Sequence, residues 1–115
     1  MEPFGIETED LGEISIMRLF GRMQLADTEG VEAAVKMALG RGRSKIVVDL
    51  TELACLHSAG IGMLLELWGI VRQRGGTVLI AGANAAMRDM LRTLGVERIL
   101  DLRDTKDEAV KELRG

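Results

Sequence analysis

The sequence predicts an α/β fold, a mixed and mostly parallel β-sheet packed with about four α-helices in the order ββαβαβαβα. Three observations carry that expectation. A chain of 115 residues, 47% of them hydrophobic, can build a real core, which fits one domain over residues 1–115 and excludes disorder. Apolar stripes at helical spacing alternate with short β-branched runs, as in parallel strands joined by right-handed crossovers. Two strand-like stretches also flank a tight turn before the first helix begins.

The elements follow in order. Ile6 to Glu9 and Ile14 to Phe20 read as two strands around the turn Leu11-Gly12-Glu13. The second strand alternates imperfectly, with Ile14, Ile16 and Arg18 on one side and Ser15, Met17 and Leu19 on the other, so its buried face is left open. Val31, Ala34, Val35, Ala38 and Leu39 form one helical stripe, with Asp27 as N-cap and Gly40 or Gly42 as the stop. Ile46 to Leu50 is near-continuously apolar, as expected of a strand buried on both faces. A loop from Thr51 to His57 leads into a second helix that starts near Ser58 and stops at Gly75-Gly76. Thr77 to Ala81 is a further buried strand. Asn84 caps a third helix with Met87, Met90, Leu91 and Leu94 on one face and Gly95 beyond its end. Arg98 to Leu102 is the expected last strand. Thr105-Lys106-Asp107-Glu108 reads as a capping box opening a final helix, with Ala109, Val110 and Leu113 inward.

Composition narrows the function. Eighteen carboxylates against fifteen Lys and Arg give a net charge of -3, which argues against direct binding of nucleic acid. One Cys and one His exclude a multi-Cys zinc site and a two-His metal motif, so no metal and no cofactor is expected. Met1 to Asp10 is acidic and unlike a secretory signal. The most apolar window, Ala59 to Val71, would span about 20 Å as a helix against a hydrocarbon core of about 30 Å. A cytoplasmic protein without membrane insertion is the expectation.

The informative stretch runs from Asp49 to Leu65, where a buried strand, a short loop and a helix starting at a serine follow one another. The plain alternative for Ser58 is a helix N-cap. Leu56-His57-Ser58-Ala59-Gly60 resembles a nucleophile elbow, but Leu56 replaces its first Gly and the only His adjoins the Ser, where it cannot act as the triad base. Gly60-Ile61-Gly62 lacks the third Gly of a dinucleotide fingerprint. Gly40 to Lys45 fails the phosphate-loop spacing and precedes a strand. No catalytic residue is therefore expected. On the second helix, Ile61, Leu64, Leu65, Trp68 and Val71 form a stripe suited to the sheet. Gly60, Met63, Leu67 and Ile70 form a second side, covered either by neighbouring helices or by a partner.

Asp49-Leu50-Thr51 and Leu56-His57-Ser58-Ala59-Gly60-Ile61-Gly62 together resemble the signature of the STAS domain, found in bacterial anti-sigma factor antagonists and in the tails of sulfate transporters. The element order fits that domain over nearly the whole chain, and Gly21-Arg22-Met23-Gln24 takes the place of its turn before the first helix. The resemblance implies a regulatory switch: an anti-sigma factor with serine kinase activity phosphorylates Ser58, the unphosphorylated form binds that kinase, and a serine phosphatase resets it. Partner contact is then expected at Gln24, His57, Ser58, Gly60 and Met63. Two departures stand out, His57 and Gln24, each where the family commonly carries an Asp. The alternative is a STAS interaction subunit of a lipid-transport or sensory complex, in which Ser58 is not phosphorylated. A homodimer is left open. Cys55 is expected to be a reduced, structural residue with no cation beside it.

Overall fold

The computed structural model describes residues 2–115, so Met1 of the N-terminal stretch lies outside the described residues. Strands β1 (Gly5–Leu11) and β2 (Ile14–Gly21) form the expected opening hairpin, antiparallel from Gly5↔Phe20 to Leu11↔Ile14. Helix α1 (Thr28–Gly40), strand β3 (Lys45–Leu53), helix α2 (Ser58–Gln73), strand β4 (Thr77–Ala81), helix α3 (Ala85–Thr93), strand β5 (Leu102–Arg103) and helix α4 (Lys106–Arg114) follow. The sheet order is β1-β2-β3-β4-β5, with every pair after the hairpin parallel. The expected α/β class and element order are both present.

The helices divide unequally between the sheet faces. Met17, Leu19, Ile46, Val48 and Leu50 turn one way and join the helical residues Val35, Leu64, Leu67 and Leu91 in the main core. Ile14, Ile16, Val47, Leu79 and Ala81 turn the other way, onto Ala109, Val110 and Leu113 of α4. Strand β2 has apolar residues in both cores, which explains why its alternation alone could not choose a face. Helix α4 covers only part of its side, and β1 is an edge strand whose Glu7 to Asp10 are exposed.

Three boundaries differ from expectation. Strand β3 continues to Leu53, because Phe20 and Gly21 of β2 pair with Glu52 and Leu53 beyond a register shift. The last strand is only Leu102–Arg103. Val96–Arg98 is a 3-10 turn, and the N–H groups of Ile99 and Leu100 bond back to the Val96 carbonyl instead of joining β4. Asp27 occupies the expected N-cap position of α1, but its carboxylate accepts the Gln24 N–H (2.7 Å) within the 3-10 turn Leu25–Asp27 instead of bonding the first helical N–H groups. The Asn84 cap forms as read, its Oδ1 accepting the Met87 N–H (2.9 Å); Thr105 Oγ1 accepts that of Glu108 (3.1 Å), but the Glu108 side chain does not bond back to the Thr105 N–H, so the expected capping box is only half formed.

Candidate functional site

Ligand-facing loops in parallel sheets gather at the carboxyl ends of the strands. Here β2 leads into Arg22-Met23-Gln24, β3 into Ala54 to His57, and β4 into Gly82 to Asn84. The first two loops are joined by three contacts. The Ala54 N–H donates to the Gly21 carbonyl (2.9 Å). His57 Nε2 lies 2.9 Å from the Met23 carbonyl, and since a carbonyl only accepts, that nitrogen carries the proton. Arg22 Nη1 stands 3.9 Å from Cys55 Sγ. Gly21 makes the corner possible: its φ is +79°, and a side chain there would run into the Pro3 carbonyl.

Ser58 is the first helical residue, not the cap. His57 occupies the cap position in an extended conformation (φ -116°), and its carbonyl accepts the Ile61 N–H (3.0 Å). Among the described residues no side-chain bond is made by Ser58, which is exposed. The capping alternative is thereby corrected: the hydroxyl stands free at the positive end of a 16-residue helix.

The other candidate residues fall into two groups. Gln24 is exposed and His57 half-buried, both at this end of the sheet. Gly60 and Met63 are buried, Met63 at 2% exposure, which corrects the expectation that they stand on an open face. The covering atoms at Gly60 belong to the two loops. A Cβ there would come within 2.7 Å of Met23 Cε and 2.8 Å of Leu56 Cδ1, so any larger residue requires these two side-chain ends to shift. The exposed positions on the first turns of α2 are Ser58 and Gly62.

Three features here were not found from sequence. Leu25, 72% exposed, projects beside Gln24. An apolar groove of about 180 Å³ lies between the loop before α2 and helix α3, lined by Ala54, Cys55, Leu56, Ala86, Met87 and Met90. Cys55 is half-exposed with the Arg22 guanidinium beside it, so the expectation of a cysteine remote from cations fails. The Leu25 and Arg22 signals were visible only as an exposed apolar residue and a cation in a loop; their placement needed the tertiary contact between loops. Among the described residues no helix is long and apolar enough to cross a membrane.

Comparison with known proteins gives one consistent picture. The family model described as "Mlab, STAS domain" matches residues 6–103. The anti-sigma F factor antagonist of Paenibacillus polymyxa is 27% identical over 109 residues, covering 94% of this chain and 93% of that protein. The crystal structure of an anti-sigma factor antagonist from Mycobacterium paratuberculosis has the same fold, with a TM-score of 0.85 at 19% identity over 98% of this chain and 96% of that one. The Bacillus cell fate determinant SpoIIAA in its phosphorylated form shares it too, with a TM-score of 0.73 at 22% identity over 97% and 100% of the two chains.

Proposed function

This chain belongs to the STAS domain family, and from that premise we propose that it is an anti-sigma factor antagonist switched by phosphorylation of Ser58. It acts by binding, without catalysis, in the cytoplasm. The unphosphorylated form docks on an anti-sigma factor with serine kinase activity, and a serine phosphatase restores it. The single observation that carries this is the exposed Ser58 hydroxyl at the start of α2, free of any intramolecular bond. Such a hydroxyl can enter a kinase site without unravelling the helix. A phosphate there adds about −1.5 to −2 charges. The helix N-terminus favours that charge, so the fold survives while a surface matched to a neutral serine is repelled.

Gln24 and His57 stand beside Ser58 on the docking side, and Gly60 and Met63 support it from beneath. Their burial makes them shape the surface from beneath, Gly60 through Met23 and Leu56, rather than touch the partner.

The test is a titration of the parent and its variants against a kinase-type anti-sigma factor, with phosphoserine mapping by mass spectrometry. Ser58→Asp is expected to fold as well as the parent, with a gain of about 0.3–1 kcal/mol from the helix dipole, and to bind more weakly. Ser58→Ala is expected to keep binding and lose phosphorylation. Because Ser58 is not the cap, its stability should move by no more than about 0.5 kcal/mol. Acidic variants that bind like the parent would overturn the switch. A second reading, a STAS subunit of a lipid-transport or sensory complex, is favoured by one observation: the side chain at the cap is an imidazole whose Nε2–H donates to the Met23 carbonyl, where a carboxylate would be expected next to a phosphorylated serine. Capture of transporter subunits with no phosphoserine on the bait would support it.

A further inference from the structure

The turn before α1 carries a side chain for which the fold has no use. Leu25, at 72% exposure, is the most exposed of the large apolar side chains among the described residues. A single apolar residue on a surface is ordinary. This one is set apart by how it is held and by where it stands. Its backbone is fixed on both sides by bonds that leave its side chain out. The Gln24 N–H donates to Asp27 Oδ2 (2.7 Å), the Asp27 N–H donates to the Gln24 carbonyl (3.0 Å), and the Thr28 hydroxyl donates to the Leu25 carbonyl (2.9 Å). The turn is also fastened to the start of α2. Met23 is buried, its Cε packs over Gly60, and its carbonyl accepts from His57 Nε2 (2.9 Å). Leu25 is thereby fixed relative to Ser58 through Met23, while Gln24, Leu25 and Ala26 face solvent in succession. On the other side of Met23, Arg22 is exposed and makes no ion pair among the described residues; its Nη1 stands 3.9 Å from Cys55 Sγ.

We infer that Leu25 is the apolar anchor of the docking surface around Ser58, seated in an apolar recess of the anti-sigma factor, with Arg22 meeting a carboxylate on the rim of that recess. The inference rests on the reading of Ser58 given above and supplies the contact which that reading lacks. Of the residues assigned to the surface, Ser58, Gln24 and His57 offer polar groups, and Gly60 and Met63 are buried. Polar groups exchange water for partner at little net gain, whereas an exposed leucine gains its full transfer free energy when it is covered. Because the turn is already rigid, docking orders no further backbone there. An unpaired guanidinium beside the anchor selects a partner with negative charge at that point and disfavours a basic one.

The experiment titrates the full chain and its variants, by calorimetry, against each serine-kinase anti-sigma factor of the source genome, purified in turn, with thermal melts alongside. Leu25→Ser is expected to weaken binding about tenfold to a hundredfold, the range that covering one leucine carries. Its melting temperature should match the parent, since the side chain holds nothing in the fold. Leu25→Met keeps the apolar bulk and should bind within about threefold of the parent. Arg22→Glu should weaken binding about fivefold, and more so at low salt. In phosphoryl transfer from ATP to Ser58, Leu25→Ser should raise KM and leave kcat unchanged, as expected of a contact made equally before and during the chemical step. A Leu25→Ser variant that binds like the parent, a Leu25→Met variant as weak as Leu25→Ser, a melt that falls together with binding, or a lowered kcat at unchanged KM would each overturn the inference. Ser58→Asp separates it from the switch. If Ser58→Asp binds like the parent and Leu25→Ser does not, the switch falls and the anchor stands; if Ser58→Asp alone is weakened, the switch stands and the anchor falls. A parent that binds none of these factors overturns both.

Discussion

The two faces of the sheet are built to different standards. On the side of α1, α2 and α3 the buried strand residues are apolar apart from Ser15, and Met17, Leu19, Ile46 and Val48 have no exposure at all. On the side of α4 the apolar residues stop halfway, and the rest of the surface is Arg18, Glu7, Glu9 and Asp49. Three helices can seal one face of a five-stranded sheet, whereas one nine-residue helix cannot seal the other. The chain answers the shortfall with charge, so apolar burial is concentrated on one side and charged side chains on the other; the buried polar atoms without a partner among the described residues, Ser15 Oγ and Trp68 Nε1, both lie on the sealed side. The Ser58 loop belongs to the sealed side, where a rigid backing holds it.

Substitutions can break that contrast. The largest effect is expected from Leu64→Ala on the sealed side, where a fully buried side chain leaves a cavity that three helices cannot collapse: about 3–5 kcal/mol lost in urea denaturation. The matching change on the other face, Leu113→Ala, starts from a side chain 8% exposed under a single helix, and should cost about 2 kcal/mol. Equal losses would refute the asymmetry. Next comes Gly60→Ala, which sets a new methyl against Met23 and Leu56. Overpacking should cost about 1–2 kcal/mol and shift the NMR signals of Met23 and Gln24, linking the backing to the exposed loop.

The smallest effect concerns α1 against α2. The Glu32 carboxyl is held above its ordinary value, first by a hydrogen bond to the Glu66 carboxylate, then by partial burial and by the charge of Glu66, with Lys36 opposing. Folding favours the protonated form, so this contribution is fully present below the usual glutamate range and is lost as pH rises through the raised value. Glu66→Gln removes the like charge. The variant should gain slightly on the parent in thermal melts at neutral pH, and the gain should vanish in acid.

Most of the architecture was legible because it rests on local periodicity. The stripe Val31-Ala34-Val35-Ala38-Leu39 and the run Ile46 to Leu50 each carry their own signal, and both lie where their patterns placed them. The misread boundaries depend on neighbours. Thr51 and Glu52 look like loop residues, yet β2 offers Phe20 and Gly21 as partners and the strand continues. Ile99 and Leu100 look like a strand, yet a 3-10 turn after Gly95 claims their amides. At the site, the serine could be singled out by its setting, but its position within the helix could not, because the cap is fixed by the extended backbone of His57. The burial of Gly60 and Met63 was hidden for a related reason. The residue that covers Gly60 is Met23, which is 37 positions earlier in the chain and is brought in by a turn whose purpose no local pattern reveals.

The helix start is held by the backbone of His57 and by the Met23 carbonyl, and Ser58 contributes no bond to it. Position 58 is thus relieved of any duty toward folding. A replacement there passes the filter of protein quality control unnoticed and is judged only by whatever docks on it. Selection on that residue reads the network around the protein, and a lineage that changes its partner can change this one side chain without having to re-engineer the scaffold that presents it.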